Sequence, residues 1–130
     1  MMGVLAGSGF ELTADQQEAE IIVVNTCGFI ESAKEESISA ILEAANMKKR
    51  GKCRALVVAG CLAQRYKDDL AKELPEADAS IGTAEVPRIG DICRKVLGGD
   101  EQIVRVAAPA MVSGLPRLST TPRHYRYLRI

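Results

Sequence analysis

The sequence has no tryptophan, a single histidine and only five other aromatic residues, three tyrosines and two phenylalanines. A base-stacking surface for single-stranded nucleic acid needs exposed aromatics, so that class of function is disfavoured. There is no excess charge of either sign. The 17 basic and 17 acidic residues cancel, and nothing in the balance asks for a nucleic acid or a membrane as partner. No run of eighteen apolar residues occurs, which excludes a spanning helix of ordinary type. The first residues show no basic region followed by an apolar stretch, so a cytoplasmic location is the expectation. Two further motifs are missing. No Cys-x-x-Cys pair is present, and no Gly-Lys-Ser/Thr phosphate loop. Gly7-Ser8-Gly9 precedes a short strand candidate instead of following one, and so fails as a dinucleotide fingerprint.

What is present is an alternation of apolar runs and helical periods. Residues 1–8 read as the tail of a helix closed by Gly7 and Gly9, and 10–13 as a short strand. Residues 21–25 and 55–59 are clear strands, both rich in β-branched residues. Between them Ile38, Ile41, Leu42 and Ala45 recur at helical spacing. That helix opens on Glu31, Glu35 and Glu36 and closes on Lys48, Lys49, Arg50 and Gly51, an order that complements its dipole. Leu62, Tyr66, Leu70 and Leu74 predict a second helix, stopped by Pro75. A weaker strand at 79–82 leads to a helix with Ile89, Ile92, Cys93, Val96 and Leu97 on one face. A last strand spans 102–106. The fold class expected is α/β, an open parallel sheet with helices on both faces. One domain over 1–106 suits the length. From Ala107 the composition turns linker-like, no acidic residue follows Glu101, and 121–130 reads as the first strand of something further.

Four cysteines in such a protein are expected to be free thiols or ligands, not a disulfide framework. Cys27 and Cys61 stand out. Each ends a Val-Val-x-x-Cys unit that runs from a strand into a helix. In an open parallel sheet the ligand lies beyond the carboxyl ends of the strands, so the two thiols are delivered to one edge. At a helix start the backbone dipole favours the thiolate, the form that binds metal. Cys53 enters a strand at the other edge between Lys52 and Arg54, and reads as an ordinary thiol. Cys93 reads as core packing. His124 and the arginines 117, 123, 126 and 129 read as surface or interface charge, and Glu35, Glu36, Asp68 and Asp69 as solvated helix faces. Zinc takes four ligands and an iron–sulfur cluster three or four thiolates. Two thiols leave either site incomplete.

The stretch Asn25-Thr-Cys-Gly-Phe-Ile-Glu-Ser-Ala-Lys-Glu-Glu-Ser-Ile38 resembles the signature of radical S-adenosylmethionine methylthiotransferases. So does Val58-Ala-Gly-Cys-Leu-Ala-Gln-Arg-Tyr66, and Thr121-Pro-Arg-His-Tyr-Arg-Tyr-Leu-Arg-Ile130 resembles the start of that family's radical domain. The Cys-Gly-Phe-Ile-Glu-Ser-Ala wording is similar to the branch acting on an aspartate of a small-subunit ribosomal protein. A tRNA-modifying branch and a non-catalytic α/β binding module are the alternatives. The resemblance implies a flavodoxin-like N-terminal domain, here lacking the family's first strand. It implies an auxiliary [4Fe-4S] cluster held by three cysteines, of which Cys27 and Cys61 match the second and third. It implies a second [4Fe-4S] cluster and S-adenosylmethionine in a radical domain that begins within 107–130. The 130 residues alone are then expected to be inactive and without a stable cluster. No membrane partner and no direct nucleic-acid contact are expected, and the sheet edge bared by the lost strand is a route to self-association.

Overall fold

The computed structural model describes residues 1–99 and 101–118. The tail expectations at 121–130, His124 included, lie outside the described residues. Among the described residues four strands form one sheet: β1 (Ile21–Thr26), β2 (Ala55–Gly60), β3 (Ala79–Ile81) and β4 (Ile103–Arg105). They run parallel in the order β1-β2-β3-β4.

β2 is buried along its whole length, and its side chains divide by the period of two. Ala55, Val57 and Ala59 join Val4 and Leu5 of α1 (Met2–Gly7) and Ile89, Ile92, Cys93 and Val96 of α4 (Ile89–Leu97). Leu56 and Val58 join Ile41, Ala44 and Ala45 of α2 (Glu31–Arg50), Leu62, Ala63 and Leu70 of α3 (Cys61–Glu73), and Leu74 just past its end. Helices therefore cover both faces, as the near-continuous apolar run of β2 requires. Each fully buried valine or leucine of this strand stabilises the fold by about 1.5–3 kcal/mol. The crossovers from β1 to β2 and from β2 to β3 pass over the α2/α3 face. The crossover from β3 to β4 steps the same way through a 3₁₀ turn (Thr83–Arg88) and α4 on the other face, so its hand is opposite to theirs.

Charge order and end signals behave as the sequence predicts. α2 begins with Glu31, ends with Lys48, Lys49 and Arg50, and is capped by Gly51. At the amino-terminal edge of the sheet, Lys48 Nζ lies 2.6 Å from both carboxylate oxygens of Asp78, which also accepts the Leu56 N–H at 2.7 Å. That brace holds the edge opposite to the cysteine pair.

Two local expectations need correction. Residues 10–13 form no strand. The outer edge of β1 has no partner among the described residues, so a short run there has no ladder to join. Phe10 packs instead on the α1/α4 cluster, with the Arg94 guanidinium 5.8 Å from its ring centroid. Leu42 is exposed, because the buried stripe of α2 runs through Ser37, Ile41, Ala44 and Ala45. The Glu20 carbonyl accepts the Ala55 N–H, so even-numbered residues of β1 turn their backbone groups toward β2. Ile21, Val23 and Asn25 turn theirs outward.

Residues 107–118 contain no helix or strand and are mostly exposed. Their anchors include the Ala107 carbonyl, which accepts from Gln64 at 3.0 Å, Leu115, which lies against the α1/α4 cluster, and the Pro116–Arg117 backbone, which passes close over Gly3 of α1. Among the described residues no helix is long and apolar enough to cross a membrane.

Candidate functional site

The last paired residues of β1 and β2 are Thr26 and Gly60. Cys27 and Cys61 each follow directly on those paired residues, one beyond β1 and one as the first residue of α3, where the strands themselves lie about 4.8 Å apart. Both thiols are free and exposed. The structure thus brings together the two cysteines that the sequence paired. It keeps the other two away. Cys53 lies at the opposite end of β2, buried, with its Sγ 3.3 Å from the Ala55 carbonyl. Burial pushes its thiol up, opposed by hydrogen bonding with the backbone of Ile22 and Ala55. Cys93 is wholly buried in α4, and burial pushes it up to about 11 against the pull of Arg94. Neither offers a thiolate near neutral pH.

The junction from β2 to α3 has no connector. Gly60 turns the chain with φ +113°, and Cys61 is already the first residue of the helix. A Cβ on Gly60 would stand 2.5 Å from the Thr26 carbonyl oxygen, so this tight turn requires glycine for both conformation and space. The first N–H groups of α3 have no intrahelical acceptor and open on the same edge.

The junction from β1 to α2 carries four residues of connector, 27–30. Thr26 is buried, and its hydroxyl donates to the Ala59 carbonyl at 2.8 Å, tying the two strand ends. Ser37, buried on α2, accepts the Cys27 N–H at 3.0 Å. Its single hydroxyl proton faces the Ala33 carbonyl at 2.8 Å and the Cys27 carbonyl at 3.2 Å. Arg65 of α3 donates to the Gly28 carbonyl at 3.1 Å. A Cβ on Gly28 would sit 3.2 Å from Leu62 Cα and 3.4 Å from the Cys61 carbonyl carbon, so the two junctions touch backbone to backbone. Lys34, 5.1 Å above the Tyr66 ring, spans from α2 to α3, and its ion pair with Glu31 raises its pKa. Gln64 accepts the Thr83 N–H and donates to the Ala107 carbonyl, fixing the chain beyond β3 and β4 to the first turn of α3.

Two accessible thiols on adjacent strand ends, beside a helix start, suit bidentate binding of a soft metal or metalloid. They do not make a complete iron–sulfur or zinc site. Among the described residues no group of three or more His, Cys, Asp and Glu side chains stands together. A [4Fe-4S] cluster needs more thiolates than this edge holds. Residue-by-residue reading overlooked Ser37, Arg65, Gln64, Gly28 and Gly60. All five fall inside the two quoted motifs, and that was their only signal.

An open parallel α/β domain with paired thiols at the carboxyl ends of adjacent strands is the class that fold and site define. Residues 1–82, which include both junctions, match the family described as Uncharacterized protein family UPF0004, and the chain belongs to that family. Over its whole length it is 52% identical to the ribosomal protein uS12 methylthiotransferase RimO of Trichlorobacter lovleyi, of which it covers 29%. It is 49% identical to the RimO of Pelobacter propionicus, again over 29% of that protein. Against the RimO of Symbiobacterium thermophilum the identity is 46%, over 27%. The chain thus spans under a third of the length of these relatives.

Proposed function

We propose that these residues form the sulfur-delivering domain of a RimO-type methylthiotransferase. The substrate on this reading is an aspartate of the small-subunit ribosomal protein that the relatives' name specifies, uS12. The reaction class is insertion of a methylthio group, with S-adenosylmethionine as the source of radical and methyl group. Cys27 and Cys61 are two thiolate ligands of an auxiliary [4Fe-4S] cluster, and the remaining cysteine belongs to the family's first strand, outside residues 1–130. Residues 1–106 constitute the cluster-bearing domain. Residues 107–130 lead into a radical domain with its own [4Fe-4S] cluster. The open edge of β1, with outward backbone groups at Ile21, Val23 and Asn25, is where self-association of the isolated domain would occur.

The observation that carries this reading is the 52% identity over the whole chain, with both cysteine junctions inside the match. The side-by-side placement of the two thiols supports it. In the full-length protein, Cys27→Ala or Cys61→Ala should abolish methylthiolated product, while reductive cleavage of S-adenosylmethionine persists. Cys53→Ala and Cys93→Ala should retain both. Methylthiolation of tRNA in place of the ribosomal protein would favour the tRNA-modifying reading. Product formation unchanged by loss of Cys27 and Cys61 would overturn the assignment.

A further inference from the structure

We propose that Ser37 is the positioning residue that holds Cys27 in register with Cys61. This rests on the reading of the two thiols as a working pair, and goes beyond it by naming what sets their spacing. Cys61 needs no such device, because it belongs to α3 from its first atom. Cys27 lies in a connector without regular structure, and Ile30, which precedes α2, gives no side-chain cap to order it. Both backbone polar groups of Cys27 turn to the same side chain. The N–H donates to Ser37 Oγ at 3.0 Å, and the carbonyl stands 3.2 Å from that oxygen. The hydroxyl is fixed in turn by the Ala33 carbonyl at 2.8 Å, one helical turn back, and is buried. Ser37 is therefore anchored to the rigid helix on one side and to the cysteine backbone on the other. Serine within a helix commonly bonds its own i−4 carbonyl. Here the same oxygen also receives a donor ten residues away in sequence.

The flanking residues show why one clamp matters. Phe29 and Ile30 are 86% and 55% exposed, so apolar packing does not hold the connector from outside. Arg65 fixes Gly28 but makes no hydrogen bond to Cys27 itself. Without the Ser37 hydroxyl, the Cys27 N–H loses its acceptor and its thiol samples a wider volume relative to Cys61. The effective concentration of one thiol at the other then falls.

The test uses phenylarsine oxide, which joins two thiols as a cyclic dithioarsenite with release of one water and no change in arsenic oxidation state. Titration and release to a competing soluble dithiol measure how well the pair is preset. The wild-type chain should capture one equivalent, and Cys27→Ala or Cys61→Ala should not. Ser37→Ala should release the arsenical about fivefold faster, the worth of one net hydrogen bond. Ser37→Thr, which keeps the hydroxyl, should restore retention. Ile41→Val perturbs the same helix without touching the connector, and should leave retention unchanged. Equal retention by Ser37→Ala and wild type would overturn the proposal. So would equal loss in Ile41→Val, or no restoration by Ser37→Thr, since either assigns the effect to general packing. Failure of the wild type to capture the arsenical would instead contradict the paired-thiol reading itself.

Discussion

The two strand-to-helix junctions end in the same residue type at the same edge, yet they are built on opposite principles. At β2–α3 a single glycine in the left-handed region makes the turn, and the helix itself carries Cys61. At β1–α2 the chain takes four residues to reach the helix, and side chains from elsewhere hold it. Ser37, Arg65 and the Gly28 contact do there what backbone geometry does alone at the other. One thiol is rigid by construction and the other by clamping. A thiol pair made this way has one point set by the backbone and one set by side chains.

The largest effect should appear in thiol chemistry. With an alkylating reagent at pH 8, Cys27 and Cys61 should react more than about a hundredfold faster than Cys53 and Cys93, which react only through local opening. Mass-resolved labelling checks this, and comparable rates at all four would dissolve the contrast between edge and core. Raising the pH sharpens it further. The Cys93 thiol sits at about 11 in the folded chain against 9.0 for an ordinary thiol. The stability that it contributes is full below pH 9 and is lost as pH rises through about 11. Denaturant titrations should show that alkaline loss in wild type and a smaller one in Cys93→Ala.

Next come the glycines. Gly60→Ala meets both an unfavourable φ and the Thr26 carbonyl, and should destabilise the domain by about 3 kcal/mol. Gly28→Ala meets backbone at 3.2 Å but faces no positive φ, and should cost about 1 kcal/mol. Urea unfolding of the two variants ranks them. Equal losses would show that the connectorless junction is no stiffer than the other. Thr26→Val removes the hydroxyl bond between the strand ends and leaves the Ala59 carbonyl without it, an expected loss of about 1 kcal/mol by the same measurement. The smallest effect is expected from Arg65→Met. Global stability should change by less than about 0.5 kcal/mol, as is usual for a partly exposed side chain. Amide exchange at 28–30 should nevertheless quicken, while exchange in the first turn of α3 stays as it was. Faster exchange in both would mean that Arg65 braces the helix and not the connector.

The sequence shows one of these junctions more clearly than the other, and the reason is range. The β-branched runs at Val23-Val24 and Val57-Val58 announce strands because burial on both faces acts locally on every residue of the run. From the parallel sheet it follows that the cysteines after them share an edge. The i+4 series from Leu62 to Leu74 and the Pro75 stop announce α3 for the same local reason. The clamp at Cys27 is different. Ser37 lies ten residues on, inside a helix, and looks like an ordinary polar position until the fold turns it inward. Gln64 and Arg65 look like solvated helix residues, and only the tertiary approach of neighbouring loops gives them partners. Residues 10–13 have the composition of a strand, but strand formation depends on a neighbour. Composition does not reveal whether one is in place.

The central claim is that Cys27 and Cys61 act as a ligand pair while Cys53 and Cys93 do not. Iron bound per chain in the full-length protein, measured for alanine variants at each of the four positions, tests it most directly. The account predicts that Cys27→Ala and Cys61→Ala each lose the iron of one cluster, whereas Cys53→Ala and Cys93→Ala retain the wild-type content. A full complement of iron in Cys27→Ala would contradict it.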